Sequence, residues 1–387
     1  MIQPLEIDLA YPLTDGVIAF NNLESSRQQS WSRFWRDPLR PEMAEYTIEQ
    51  EQLTLQFVGD PSALDRLQSL ANHLDRIDAG SPRTTLIHAQ VASMAHCFSE
   101  AKRHIDEIGD WGDWSNAANR LSLTIDQACG TRLDAVLQIR QRMAVESGRL
   151  EDLVPLGALL ADLGKLDDAD QTFLRALREY KDTSPFAVAW VCFQLGLLWG
   201  ELNPKVELTR AARYYQKALE FLPGYVKARV HLAEIYLRSD LLAEAEELLM
   251  PAVLSGDPEV RWCLSEVLAA MGRPAEAQEQ MQAARISFEV LLEKHPLAFA
   301  DHAAEFYARS GNNPQRASEL ANINLANRPT LRAFEKAYDT AMIAGQSEDA
   351  AKVLTAARSR WGTTSAFRVS PLANVDAGEP RPEVGTA

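Results

Sequence analysis

Cysteine is scarce in this 387-residue chain. Its four residues, Cys97, Cys129, Cys192 and Cys263, lie far apart with no CxxC pair. That spacing speaks against a disulfide framework, and each cysteine falls in an apolar helical pattern, as reduced core thiols do. Basic residues are also in deficit, 39 Lys and Arg against 54 Asp and Glu, for a formal net charge of -15. Nucleic-acid phosphates and anionic membrane surfaces both call for a basic face, so neither is an expected partner. The acidic excess reads as solubility. No stretch approaches the ~18 uninterrupted apolar residues of a membrane span. The opening "MIQPLEIDLAYPLTDG" lacks the basic and apolar regions of a secretory leader, and a cytoplasmic protein is expected. P-loop, GxSxG and HExxH motifs are absent, as is GxGxxG in a strand–helix setting. Neither an enzyme nor a bound cofactor is expected.

What the chain does have is a repeat. In "AARYYQKALEFLPGYVKARVHLAEIY", Ala211, Tyr215, Ala218 and Pro223 are spaced by four, three and five residues. Ala169, Phe173 and Ala176 follow the same rule, as do Ala245, Leu249 and Ala252, and Ala277, Met281 and Ala284. Ala317, Ala321, Asn324 and Pro329 repeat it, and Ala350, Leu354 and Ala357 close the series. A second helical pattern precedes each copy, as in Leu156-Gly157 with Leu160, Leu195-Gly196 with Trp199 and Leu232-Ala233 with Tyr236. Turns such as "DLGKLDDA" and "IAGQSEDA" join the halves. Small residues let two helices approach closely, Gly ends a helix in the left-handed region, and Pro stops it.

On these residues the chain resembles the tetratricopeptide repeat family, whose ~34-residue unit is a helix–turn–helix. The resemblance implies an all-α, right-handed superhelical solenoid. Six units are expected over 150–361, starting near Leu150, Ala189, Val226, Pro258, Leu297 and Leu331. "ELNPKVELTR" lengthens one turn, and "QAARISFEVLLEKHP" suggests one extended second helix. Degenerate repeats are expected over 61–149, with registers near Pro82 and Asn116, although Asp126 occupies a core slot in the latter. Residues 1–60 read as an irregular segment with a short strand at "QLTLQFV". Residues 362–387, rich in Gly, Pro, Ser and Thr, read as a disordered tail.

In such solenoids the first helix of each unit lines the concave face, which implies a protein or peptide partner. Carried across unit by unit, the candidate binding residues are Trp190, Phe193, Lys227, His231, Glu234, Arg238, Trp262, Glu266, His302, Glu305, Arg309, Lys336 and Asp339. Trp190, Phe193 and Leu197 make an apolar stretch; the rest of the face carries mixed charge. The family's carboxylate clamp would fall on Val154, Ala158, Phe193, Leu197, Lys227 and His231. Only Lys227 suits it, so a clamp of that kind is not expected. A non-catalytic adaptor, scaffold or accessory subunit is the leading expectation, and a ligand- or peptide-responsive regulator is the rival.

Three further features bear on function. Trp31, Phe34 and Trp35 in "SWSRFWRDPLRP" could pack into the hollow or cap the first helices, with Arg33 and Arg36 meeting acidic neighbours. His73, His88, His96 and His104 crowd one region, which raises a metal-dependent alternative. Steps of eight residues drift by about 80° on a helix, so the last three should point differently. Glu234, Glu266, His302 and Glu305 could converge on the concave face, the one place where acid and base groups could gather, and a solvated groove wall is their plainer reading. Trp111 and Trp114 fall in a polar connection, where turn and capping roles are expected. Finally, Leu354 and Trp361 end the last unit without a polar cap, which raises a homodimer through a terminal repeat.

Overall fold

The computed structural model describes residues 7, 9, 11–109, 112 and 114–375. Helices account for the architecture, and no strand occurs among the described residues. The first layer comprises α1 (Gly16–Arg36), α2 (Met43–Leu53), α3 (Ser62–Ile77), α4 (Pro82–Met94), α5 (Phe98–Ile108), α6 (Trp114–Ala128) and α7 (Leu133–Ser147). Six hairpins follow. They are α8 (Leu150–Asp162) with α9 (Leu166–Arg178), α10 (Pro185–Leu197) with α11 (Leu208–Phe221), and α12 (Val226–Arg238) with α13 (Leu242–Leu249). Then come α14 (Pro258–Ala270) with α15 (Pro274–Lys294), α16 (Pro296–Ala308) with α17 (Pro314–Asn327), and α18 (Leu331–Ile343) with α19 (Ser347–Trp361). A short α20 (Ser365–Val369) ends the helical part. The expected extended second helix is α15, at 21 residues.

The small residues do the work the repeat assigns them. A Cβ on Gly157 would lie 2.7 Å from the Phe173 ring, and one on Gly196 would overlap Tyr215. Ala169, Ala211, Ala218, Ala317 and Ala350 are fully buried beneath neighbouring helices. Pro185, Pro258, Pro274, Pro296 and Pro314 stand in first turns, where a missing N–H costs nothing. Each hairpin therefore buries its apolar face only by stacking on the next.

The solenoid returns on itself. Residues 166 to 231 positions apart meet where one superhelical turn lies on the last. The Thr14 N–H donates to the Thr183 carbonyl (2.8 Å). Phe20 meets Phe186 edge-on at 5.5 Å, and Phe57 meets Tyr225 at 4.7 Å. Asp65 accepts from Lys294 (2.6 Å) and pairs with His295 (2.9 Å). Asn327 donates to the His96 carbonyl (2.9 Å), and Arg360 to that of Gly130 (2.9 Å). Ser365 donates to the Leu163 carbonyl (2.9 Å), with Ala366 against Gly164. These contacts lay the first layer and α20 against the array.

Several expectations are corrected. The alternating "QLTLQFV" is not a strand but the end of α2 and a π turn over Thr54–Val58. Its Leu and Phe positions serve a helix whose Phe57 is buried. Among the described residues of the first sixty, α1, α2 and the π turn make a mainly helical rather than an irregular segment. Residues 365–374 are not a disordered tail: α20 and a 3₁₀ turn fold beneath α18 and α19, burying Phe367, Leu372 and Val375. Ser370 donates to Glu335 (2.5 Å), and Arg358 to the Val375 carbonyl (2.5 Å). The terminal apolar end invoked for a homodimer is thus covered by the chain itself. The rest of that segment, 376–387, lies outside the described residues, as does Trp111. The second unit starts at Pro185 rather than near Ala189. Asp126 does occupy a core slot, satisfied by ion pairs to Lys102 (2.9 Å) and Arg132. One helical run, Pro185–Leu202, passes for a membrane span by length and composition, but 56% of it is buried within the array.

Candidate functional site

The inward side chains of α10, α12, α14, α16 and α18 form the wall of the hollow. At its apolar end, half-buried Trp190 stacks on buried Phe193 (5.7 Å, 20°). Phe193 in turn meets His231 edge-on at 5.2 Å. One turn further, α10 passes into a π turn over Leu198–Leu202 that carries Glu201 into the hollow. Such single π turns mark places where a side chain has been re-aimed.

Glu201 holds the hollow together. His231 Nδ1 lies 2.8 Å from one of its oxygens, and Arg332 of α18, four units on, donates to the other at 2.8 Å. Burial would raise the Glu201 carboxyl, but these two cations hold it far below the usual range. Burial works against the His231 imidazolium, yet the Glu201 carboxylate outweighs it and pushes His231 up to about 9. Glu234 fares differently. Its nearest cation is the same His231 at 3.7 Å, and no hydrogen bond to it is seen among the described residues. Burial, together with the carboxylates of Glu201, Glu259 and Glu305, pushes Glu234 up to about 7.

The next units are tightly paired. Lys227 binds Asp257 (3.1 Å) and Glu259. His302 Nδ1 approaches Glu259 at 2.5 Å, and Glu259 raises its pKa against the opposing effect of burial. Arg328 reaches Asp301 at 2.5 Å. Lys336 donates to the Asp301 carbonyl (3.1 Å) and Glu305 (3.0 Å). Trp262 is buried, donates to Glu266 (2.8 Å) and lies under the Arg309 guanidinium at 5.2 Å. Arg309 also approaches Glu266 (3.6 Å) and Glu305 (3.5 Å). Asp339 is half-buried and engaged. Arg238 is exposed, with no ion pair among the described residues.

Most of the sequence-predicted residues therefore bind one another across neighbouring units rather than standing bare. The hollow is nonetheless wet, since His302 keeps 45% and Arg332 57% of its side-chain area open. Sequence reasoning missed Glu201, which with Arg332 bridges the hollow. Its signal was the lengthened "ELNPKVELTR" turn, which hides a π turn instead of a plain loop insertion.

The N-terminal aromatics are elsewhere. Trp31 and buried Phe34 pack with Met43, Ile48, Leu67 and Leu74 inside the first layer. Trp35 stacks on Trp31 and is half exposed beside His73. The layer meets the array through Ala19, Leu23 and Phe57 instead. The histidines also divide. His88 and His104 do face each other, at 5.4 Å, contrary to the expected drift, because they sit on adjacent helices of one hairpin. His96 lies apart, stacked on Phe98, and burial takes it down to about 4. Among the described residues no three His, Cys, Asp or Glu side chains are grouped to hold a metal ion.

The tetratricopeptide repeat family model matches residues 207–257, the stretch from α11 through α13. The resemblance read from the small and large spacing is thereby shown. Comparison with curated proteins gives no match. Among solved structures, the chain is similar to the APC/C hetero-tetramer Cut9–Hcn1 at 14% identity, over 91% of this chain and 68% of that one, with a TM-score of 0.43. It is similar to yeast Tom70 at 12% identity, over 90% and 94%, with a TM-score of 0.33. A TPR repeat-containing protein of Cytophaga hutchinsonii, represented by its C-terminal part, gives 17% identity over 76% and 97%, with a TM-score of 0.32.

Proposed function

We propose that this tetratricopeptide-repeat chain is a non-catalytic, cytoplasmic adaptor or scaffold that holds a polypeptide segment in its hollow. The segment carries basic and apolar side chains. Glu234 is the observation that supports this reading. Among the described residues no hydrogen bond to it is seen, three other carboxylates raise it, and its neighbour His231 meets Phe193 of the Trp190–Phe193–Leu197 stretch. A Lys or Arg from a partner would relieve that repulsion and gain a charge-assisted bond. Apolar neighbours in the segment would cover Trp190 and Leu197, which the chain leaves half exposed. The balanced ion pairs elsewhere position the wall and reject wrongly charged partners.

The test uses two synthetic 12-residue peptides, one alternating Lys with Leu and the other alternating Glu with Leu. Fluorescence anisotropy is expected to show saturable binding of the basic peptide only, weakened at least tenfold in Glu234→Lys. Equal binding of both peptides, or no effect of the substitution, would refute the proposal.

A further inference from the structure

A seam runs where the chain's second superhelical turn lies against its first. The two ends of that seam are built differently. At one end the first layer shares a core with the array: Ala19, Leu23 and Phe57 belong to the cluster that contains Phe186, Phe193 and Tyr225. Along the rest, α3 to α6 bury their apolar residues in clusters of their own, centred on Leu67, Phe98 and Ile108. The array's C-terminal half has a separate core around Phe288, Phe306 and Tyr338. What joins them is sparse: the Asp65 pair with Lys294 and His295, the Asn327–His96 bond, the Arg360–Gly130 bond, and Ser365 on Leu163. Leu133, packed on that separate core, and Gly130, against Trp361, are the main apolar additions. Segments with few shared apolar contacts open with much lower free energy than cores.

We infer that α16 to α20 form a gate. This half-turn swings away from the α3–α9 edge while the apolar end of the seam stays shut, and the Arg332–Glu201 bridge across the hollow is its latch. Gate and latch restrain the same body from opposite sides, so releasing either one loosens both. A partner segment reaches the hollow by this route, a use that rests on the proposed function; the opening itself does not.

The protein carries its own reporters. Cys129 lies on the seam, half-buried, with its sulfur 3.8 Å from the Asn327 carbonyl. Cys192 and Cys263 are buried in hairpin cores. Alkylation of the full chain with N-ethylmaleimide, followed by peptide mass spectrometry, reads both openings at once. Cys129 is expected to react at least tenfold faster than Cys192 or Cys263 and well below a free-thiol rate. Asn327→Ala with Arg360→Ala should raise its rate about threefold and leave the two core cysteines unchanged. Arg332→Ala, on the far side of the hollow, should raise it too. Cys129 reacting no faster than Cys192 would mean that the seam opens only on global unfolding and would overturn the gate. A free-thiol rate indifferent to all these substitutions would overturn it as well. If the gate opens but the Lys–Leu peptide does not bind, the proposed function fails and the gate stands.

Discussion

The seam's two ends teach more than either does alone. At Phe57 and Phe20, aromatic rings interlock with Phe186 and Tyr225 in a continuous core. At Asp65, His96 and Gly130, single polar bonds tie together bodies that each have their own core. Both are long-range contacts across the same superhelical step, yet only the first should matter much to stability. Apolar area removed from water stabilises in proportion to its extent, whereas exposed ion pairs contribute ~0–1 kcal/mol.

The largest expected effect tests that contrast directly. Phe57→Ala removes a ring that is 2% exposed and should cost about 3–5 kcal/mol, read from the urea midpoint at constant slope. Asn327→Ala should cost under ~1 kcal/mol by the same measurement. If the two costs match, the ends of the seam are alike and the gate has no hinge.

Glu234 sharpens a second contrast, between strained and satisfied carboxylates in one wall. Its carboxyl is raised to about 7, so ionising it as pH rises from about 4.5 to 7 costs stability. Glu234→Gln should therefore stabilise the protein at pH 8, by on the order of 1 kcal/mol once water in the hollow is allowed for. At pH 4, where the carboxyl is protonated in both states, the substitution should be neutral. His231 has the opposite sign. Raised to about 9, it contributes stability that is complete below about 6.5 and lost as pH rises through about 9. The melting midpoint of the intact chain should fall between pH 7 and 10 more than that of His231→Gln.

The hairpins were legible because each buried alanine or glycine is a local necessity that recurs at helical spacing. Gly196 fits under Tyr215 wherever the rest of the chain goes. The concave residues followed from that register. The closure was not legible, because each seam contact is a single residue meeting another some 200 positions away, with no period to announce it. Glu201 escaped because a π turn shifts its register off the wall pattern. "QLTLQFV" misled because seven residues of alternation fit a strand or a partly buried helix equally well. Asp126 obscured its unit because the partners that satisfy it, Lys102 and Arg132, lie on different sides of it in the chain.

The smallest expected effect separates the seam's ions from its geometry. Asp65 faces Lys294 and His295; burial works to raise its carboxyl, but these partners hold it below the usual range. Both Asp65 and Lys294 are largely exposed, at 42% and 51% of side-chain area, so water and salt screen their attraction. Asp65→Asn should cost no more than a few tenths of a kcal/mol in dilute buffer and nothing measurable in ~1 M salt. Cys129 alkylation should nonetheless quicken in the variant at low salt, because a contact too weak to alter global unfolding can still set how often a sparsely held edge parts. A seam that kept its labelling rate after losing Asp65, and kept it in salt, would owe its closure to the fit of Gly130 against Trp361 and of Leu133 on the C-terminal core. The gate would then be governed by packing rather than charge.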